Sequence, residues 1–510
     1  MKATAIIWGF LYPDNEKNGA KGEKMATEDI KPKKSFADTA FARYFTDLFE
    51  ALVKGDWAVK SSLLVMGMGF FKRKQIAKGV LVTLVQIAYI LCFILFSVPY
   101  LAKFSTLGTV QYQDPKINPL TFEVEQFPYD NSFLILIYGI TSLFLLFVFI
   151  LYYIHNVKRS YAVMCDERDG KHVNNFKQDL REMLGKKFHI TLMSIPSIGV
   201  ILMNILPLLV LIAIAFTNYD KTHMPPGALF TWVGFENFTD LFGGKLSLTF
   251  GYAFRKILVW TLVWACMATF TCFIGGILLA LLINSEGVKF PKMWRTLFVI
   301  AIAVPQFVTL ILVRNFFADQ GIFNQICQNI GLLDLCKSLK LVSPNATFIP
   351  FLTDKNWTKF MIILINIWVG IPYQMLIATG VLMNAPKDQL ESARIDGANK
   401  WHIFWKITIP YILVVQGPAL ITDFVRNINN FNVIYLLTQD VYITQDAGMY
   451  KSNAKEVDLL VTWLFRLTQE EQNYKMASVI GIIVFVISVV FTLISYSRLM
   501  RGGREEDYQI

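Results

Sequence analysis

The stretch ESARIDGANKWHIFWKITIP, residues 391–410, decides how this chain is to be read. It is a short charged segment between two long apolar runs, opening on Glu391, Ser392 and Ala393 and closing on Pro410. A helix that starts on Glu391 carries Ala393 and Ile395 and stops at Gly397, because glycine accepts the left-handed backbone that ends helices. A second short helix from about Lys400 sets Trp401 and Trp405 four residues apart, on one side. Two short helices with small residues at the contact suit docking into the cleft of a partner.

The flanking runs set the class. The chain has 510 residues, is 54% hydrophobic and holds 42 phenylalanines; its mean hydropathy is +0.45. A soluble domain of that composition would leave too much apolar surface in water, so the chain reads as a multi-spanning membrane protein. Eight runs reach the roughly 20 residues that a helix needs to cross about 30 Å of hydrocarbon. They lie near residues 79–102, 132–154, 191–216, 256–284, 294–317, 358–383, 407–428 and 476–497. In lipid the backbone must satisfy its own polar groups, which forces these runs to be helices. The expected fold is an all-α membrane protein with about eight transmembrane helices.

Charge orients the spans. The net charge of +10 is not arranged as a basic and aromatic platform for nucleic acid. Instead Lys and Arg gather between alternate apolar runs. The 155–190 connection carries Lys158, Arg159, Arg168, Lys171, Lys177, Arg181, Lys186 and Lys187, whereas 105–131 has Lys116 alone. KPKK at 31–34, KRK at 72–74, and Arg498, Arg501 and Arg504 flank the first and last spans. By the positive-inside rule both termini and the 384–406 loop face the cytoplasm. The first apolar run begins near Gly79, too late for a signal peptide. Before it, residues 1–34 are polar and Lys-rich, and an amphipathic helix is expected from Ser35. There Ser35 and Asp38 form a capping box, and Phe41, Phe45, Phe49 and Leu52 stand at helical spacing before Gly55. The outside connections at 217–255, 318–357 and 429–475 are long enough for small folded caps.

Some chemistry is missing. No G-x-x-x-x-G-K-[ST] loop or G-x-S-x-G elbow occurs, so the chain is expected neither to bind ATP nor to catalyse a reaction itself. The five histidines show no metal-binding spacing, and neither a metal nor a cofactor is expected. Cys327 and Cys336 share one outside connection, and two readings stand: a disulfide or two free thiols.

Within residues 391–410, Glu391, Ala393, Gly397, Ile407 and Pro410 stand at a defined spacing. It resembles the coupling loop of binding-protein-dependent ABC importer permeases, with Ser392 where an alanine is usual. The likeness covers roughly residues 190–500. FTNYD at 216–220, WVGFENFTDLF at 232–242, GILLALLIN at 276–284, AIAVPQFV at 301–308, NNFNVIYLLT at 429–438 and EVDLLVTWLFRLT at 456–468 carry it. The last two look like one branch, the larger permease subunit of maltose/maltodextrin importers. The resemblance implies an ABC importer type I permease core of six spans over 191–500, with the coupling loop at 391–410. Ahead of it come a cytoplasmic tail (1–78) and two accessory spans with a basic loop (79–190). A short cytoplasmic tail (501–510) follows.

The same resemblance implies a sugar importer driven by ATP from elsewhere. Its partners would be a second permease, two ATPase subunits and an extracellular sugar-binding lipoprotein, in a bacterial plasma membrane. Glu391, Ser392, Ala393, Ile395, Gly397, Ile407 and Pro410 would contact the ATPase. Asn366, Val369, Gly370, Tyr373, Asn427 and Asn430 match the branch's sugar-binding positions. Polar groups in a span are costly in lipid and usually face a cavity or a partner. Trp368 and Gln374 in the sixth span, and Arg314 near the outer end of the fifth, belong with them. Asp423 and Arg426 are three apart and can pair on one helix face. They depart from the branch, where a small hydroxyl and an aromatic are expected, so ligand contact and a structural ion pair both stand for them. The wider polar set has a second reading too, as a joint with the partner permease. Other classes predict different behaviour. An importer for another oligosaccharide or solute would share the coupling loop. An ion-coupled carrier would work alone and respond to Asp423 protonation, and a membrane scaffold would not need polar groups along two spans.

Overall fold

The computed structural model of the protein describes residues 48–117, 124–243, 250–285, 287–385 and 387–502. Among these, seven helices are long and apolar enough to cross a membrane, and eight spans result if one bent pair counts as a single span. The KPKK run, Arg504 and the start of the helix expected from Ser35 lie outside the described residues. Residues 48–54 are helical, with Phe49 exposed and Leu52 half-buried.

The described residues fall into two compact units. One takes residues up to Ile87 together with Phe149–Arg181. It holds α1 (Trp57–Ser61), α2 (Met68–Phe71), the start of α3 (Ile76–Phe104), the end of α4 (Ser132–Arg168) and most of α5 (Phe176–Leu184). Asp56 organises it. This residue caps α1 by accepting from the Val59 N–H at 2.9 Å, and it pairs with Lys72 at 2.6 Å and Arg73 at 3.0 Å. The buried Arg73 also reaches Glu167 at 3.2 Å.

The other unit contains Ala88–Val148 and Glu182 onward. Its early part includes a two-residue hairpin, β1 (Lys116–Ile117) against antiparallel β2 (Val124–Glu125). The principal helices are α6 (Phe188–Ile214), α7 (Glu236–Phe242), α8 (Phe250–Ile283), α9 (Pro291–Ala303) and α10 (Gln306–Phe316). After the short α11 (Ile322–Asn329) and α12 (Leu332–Ser338) comes α13 (Lys355–Met383). Then follow α14 (Lys387–Ile395), α15 (Lys400–Ile403), α16 (Ile409–Ile428), α17 (Asn432–Thr438), α18 (Ala447–Tyr450), α19 (Leu460–Gln469) and α20 (Tyr474–Gly502).

The bundle is built around α8 and α13, whose backbones come close where side chains are missing. A Cβ at Gly276 would lie 2.8 Å from the Gln374 carbonyl carbon, and one at Gly370 would lie 2.6 Å from Cys272 Sγ. Small residues are the usual means by which helices in lipid pack tightly, since no hydrophobic force separates helix from acyl chain.

Two departures from regular spans have proline causes. The run expected as one helix at 294–317 is broken, with α9 and α10 meeting at 90°. Pro305 cannot donate to the ladder, and its ring pushes Val304 to extended backbone at ψ 126°. The span expected from 407 instead starts at Lys400 and runs through a π-helical turn, Phe404–Thr408, into α16. Similar turns at Phe93–Ser97 and Ile201–Ile205 also stand two residues ahead of a proline, Pro99 and Pro207. A widened turn relieves the clash between a proline ring and the preceding carbonyls. α4 continues to Arg168, well past the apolar run ending near 154, because the polar residues after it remain helical.

The long connections are folded caps. Across 318–357, α11 and α12 bury Cys327, Leu333, Cys336, Ile349 and Leu352. Both cysteines are free thiols, which settles the two readings of that pair. In the 429–475 cap, Glu456 gathers the 442–446 turn. Its carboxylate accepts from Tyr442 at 3.1 Å, Thr444 at 2.5 Å, and the N–H groups of Gln445 at 3.2 Å and Asp446 at 3.1 Å. Burial pushes its pKa up, but these donors outweigh that and hold the carboxyl below its ordinary value. Glu456→Gln is expected to cost about 1–3 kcal/mol. Because the folded carboxyl titrates lower than the unfolded one, its contribution is complete above about pH 4.3 and fades as pH falls through the lower folded value. The difference in Tm between the two proteins should therefore close on acidification. A difference that persists unchanged into acid would show that the carboxylate's charge does not stabilise the cap.

Candidate functional site: a polar cavity and a projecting turn

A cavity of about 560 Å³ lies in the bundle, within the size range of small-molecule sites. α8, α13 and α16, the 429–432 turn and the corner between α9 and α10 all contribute to its wall. All eight residues singled out for a ligand line it: Asn366, Val369, Gly370, Tyr373, Asp423, Arg426, Asn427 and Asn430. Helical periodicity is the local reason. Positions 366, 369, 370 and 373 fall on one face of α13, and 423, 426, 427 and 430 follow the same three-and-four spacing through the end of α16.

Asp423 is the electrostatic centre. The residue is buried, and its carboxylate accepts from Gln374 Nε2 at 2.6 Å and Arg426 at 2.7 Å. The Arg426 side chain is 61% exposed toward the cavity side of that pair. Its guanidinium carbon stands 5.8 Å from the Tyr373 ring centroid, a cation–π contact. One neutralised charge, anchored from two helices, thus turns a fork of N–H donors beside an aromatic face. Trp368, 60% exposed, adds a second aromatic surface.

Amides fill the rest of the wall. Asn427 Nδ2 donates to Thr269 Oγ1 at 2.9 Å, and the Asn427 carbonyl accepts from Trp264 Nε1 at 3.1 Å. Asn430 donates to Asn427 Oδ1 at 3.5 Å and accepts from the Val433 N–H at 3.2 Å. Asn366 contacts Cys272 Sγ at 3.5 Å. Donors and acceptors beside exposed aromatic rings are the equipment for a neutral, polyhydroxylated ligand with apolar ring faces. Among the described residues no group of three His, Cys, Asp or Glu could hold a metal ion.

Sequence reasoning missed several wall residues. Thr269 and Cys272 sit in an apolar run with no outward sign of a pocket. Gln374 is visible as a polar residue in a span, yet its partner Asp423 is 49 positions away. Val304, Pro305 and Gln306 enter because the fifth run bends, and Pro305 followed by a polar residue was the available signal. Arg314 lies outside the wall and pairs with Asp440 at 3.4 Å.

The second candidate feature is the turn between α14 and α15. α14 begins at Lys387 rather than at Glu391, with Asp388 in its first turn. Gly397 has φ +80°. Its N–H donates to the Arg394 carbonyl at 3.1 Å and the Ala398 N–H to that of Ala393 at 2.9 Å, the paired bonds of a Schellman ending. Asn399 then caps α15 by accepting from the His402 N–H at 2.7 Å. Glu391, Ser392 and Ile395 are exposed, Ile395 by 86%, while Ala393, Ile407 and Pro410 are half-buried. Trp401 and Trp405 pack edge to face at 5.6 Å. Ile407 also lines a groove of about 330 Å³ together with Leu281, Leu390 and Tyr411.

Comparison with known proteins fits this arrangement. Residues 272–501, from the middle of α8 into α20, match the family described as binding-protein-dependent transport system inner membrane component. The chain is similar to the maltodextrin transport system permease protein MalC of Streptococcus pneumoniae, with 33% identity over 88% of this chain and 97% of that one. It is also similar to two proteins of Bacillus subtilis. The maltodextrin transport system permease protein MdxF is 31% identical, over 87% of this chain and 95% of that one. The galactooligosaccharides transport system permease protein GanP is 30% identical, over 84% and 94%. With such relatives aligned along almost their whole length, the chain belongs to the family of binding-protein-dependent transport system inner membrane components.

Proposed function

We propose that this protein is the sugar-selective permease subunit of an ATP-driven importer and carries malto-oligosaccharides across the bacterial plasma membrane by alternating access. The observation that carries the reading is one cavity lined by Asn366, Val369, Gly370, Tyr373, Asp423, Arg426, Asn427 and Asn430. The maltodextrin permeases at 33% and 31% identity support the choice of sugar. Sugar hydroxyls would exchange hydrogen bonds with the amides and the Arg426 fork, and Tyr373 and Trp368 would lie against pyranose faces. Asp423 would hold Arg426 in place, and the pair would narrow the range of sugars admitted.

Transport needs a motor and a delivery partner. In this reading Glu391, Ser392, Ala393, Ile395, Gly397, Ile407 and Pro410 form the contact with one of two ATPase subunits, which also grip a second permease. Closure of the ATPases moves α14 and α15, rocks the bundle outward-open and lets an external sugar-binding lipoprotein release its load. Both termini then face the cytoplasm, on the same side as the ATPases. ATP hydrolysis belongs to those subunits, and this chain performs no chemistry.

Radiolabelled maltotriose uptake by the reconstituted four-subunit complex, supplied with the sugar-binding lipoprotein, is the direct test, and uptake of galacto-oligosaccharides in its place would overturn the choice of sugar. Gly397→Pro and Glu391→Ala should abolish uptake while the chain still inserts, and normal uptake by both would remove the coupling role. Tyr373→Ala should weaken sugar stimulation of ATPase activity; unchanged stimulation would place the sugar elsewhere. Arg426→Ala strips a buried carboxylate of its partner and should destabilise the chain by about 1–2 kcal/mol, whereas Asp423→Asn should cost less. Equal losses of Tm in detergent would mean that the charge pair is not what the site is built on.

A further inference from the structure

Residues 61–71, SSLLVMGMGFF, run for eleven positions without a charge between Lys60 and Lys72. That is too short to cross a bilayer and has the length of a re-entrant or interfacial segment or of a buried core element. In the fold the stretch doubles back. α1 ends at Ser61, the chain turns through Leu63–Gly67, and α2 returns toward Lys72. The tip presents three consecutive large apolar side chains, Leu63, Leu64 and Val65, exposed by 39%, 81% and 38%. On a water-facing tail such a tip would be an aggregation liability.

From Leu63 to Met66 every backbone N–H and carbonyl is paired, and side chains from two long helices do half of the pairing. Gln86 of α3 spans the turn, accepting from the Met66 N–H at 2.9 Å and donating to the Leu64 carbonyl at 2.9 Å. From α4, Tyr153 donates to the Leu63 carbonyl at 2.7 Å and the buried Asn156 to the Met66 carbonyl at 2.8 Å. Local turn bonds satisfy the rest: the N–H groups of Leu63, Leu64 and Val65, and the Val65 carbonyl. In water none of this is required, because solvent hydrates a turn. In hydrocarbon every open group costs several kcal/mol, and irregular backbone survives only when protein groups satisfy it.

Depth points the same way. Gln86 lies eight residues beyond Lys78, roughly 12 Å along the helix axis at 1.5 Å per residue, and Lys78 marks the polar boundary by pairing with Asp179 at 2.5 Å. Between them α3 carries no charge, and Val80, Leu81, Leu84 and Val85 are exposed, Leu81 by 46% and Leu84 by 59%, with Thr83 the one polar side chain. Gly67, Gly69 and Gly79 let the hairpin lie flat on its supports. A Cβ on Gly69 would collide with Ser160, and one on Gly79 would stand 2.6 Å from the Phe71 ring.

We propose that residues 57–74 form a re-entrant hairpin inserted among phospholipid acyl chains of one leaflet, tip first, hung on Gln86, Tyr153 and Asn156. The occupant of its exposed face is therefore lipid, not a protein partner, and residues 57–74 leave the cytoplasmic tail to become an intramembrane element. Lys60 and the 72–74 triplet stay at the headgroup level. This inference is independent of the transported sugar.

The test uses the wild-type chain in its complex, reconstituted in vesicles containing a phospholipid with a diazirine at the acyl-chain end. After illumination, mass spectrometry should find adducts on Leu63–Val65 at a yield equal to that on Leu81 and Leu84. A parallel sample with the diazirine next to the headgroup should label Lys60 and Lys74 rather than the tip. Leu64→Lys should shift tip labelling to the headgroup probe without loss of the labelling on α3. Tip labelling by the headgroup probe alone in the wild type would overturn the proposal. So would labelling that appears only after the ATPase subunits are stripped away, since a protein would then be the occupant.

Discussion

The approach of α8 to α13 is the constraint from which the rest of the bundle follows. Glycine at 276 and 370 lets two backbones touch where any side chain would hold them apart. That contact brings Thr269 and Cys272 level with Asn366 and Gln374, and so fixes two sides of the cavity before α16 contributes. Lipid offers helices little hydrophobic reason to associate, so shape at such contacts must supply the energy. A methyl group at either position would push apart the very surfaces that bound the pocket.

The second organising element is a buried charge. Asp423 would be prohibitively costly alone in an apolar bundle. Gln374 and Arg426 satisfy one carboxylate oxygen each, at 2.6 and 2.7 Å. The bond to Gln374 ties α13 to α16, and the pair with Arg426 aims a guanidinium beside Tyr373. One ion pair thereby joins helices and shapes the wall. The cap residue Glu456 repeats the principle outside the bundle, where one carboxylate collects four donors and sets a turn.

Much of this was legible in the residues. Apolar runs gave the spans because hydrocarbon allows little besides helix, and the likeness to maltodextrin permeases singled out Asn366, Val369, Gly370 and Tyr373, which three-and-four spacing sets on one face of α13. Gly397 announced the end of α14 because few other residues adopt φ +80°. What escaped depended on non-local contacts. Nothing in the run around Cys272 shows that it meets Asn366, 94 positions away. The corner at Pro305 was written locally, yet a proline inside a span can kink, widen or break it. Which of these occurs depends on what the freed backbone can find nearby. Likewise Gln86 reads as an unexplained polar residue in a lipid-facing helix until the turn it supports, some twenty positions earlier, is placed beside it.

The π-helical turn ahead of Pro410 has a mechanical meaning. α16 runs without a break from that proline to Asp423, thirteen residues and roughly 20 Å. Pro418 sits inside this rod but does not interrupt it. A stiff rod with a softened base acts as a lever: tilting it by about 10° sweeps its far end through roughly 3 Å over that length. That displacement exceeds the 2.6 Å separating Gln374 from Asp423. A modest tilt at the base would thus reach the tip as a shift large enough to part Gln374 from Asp423.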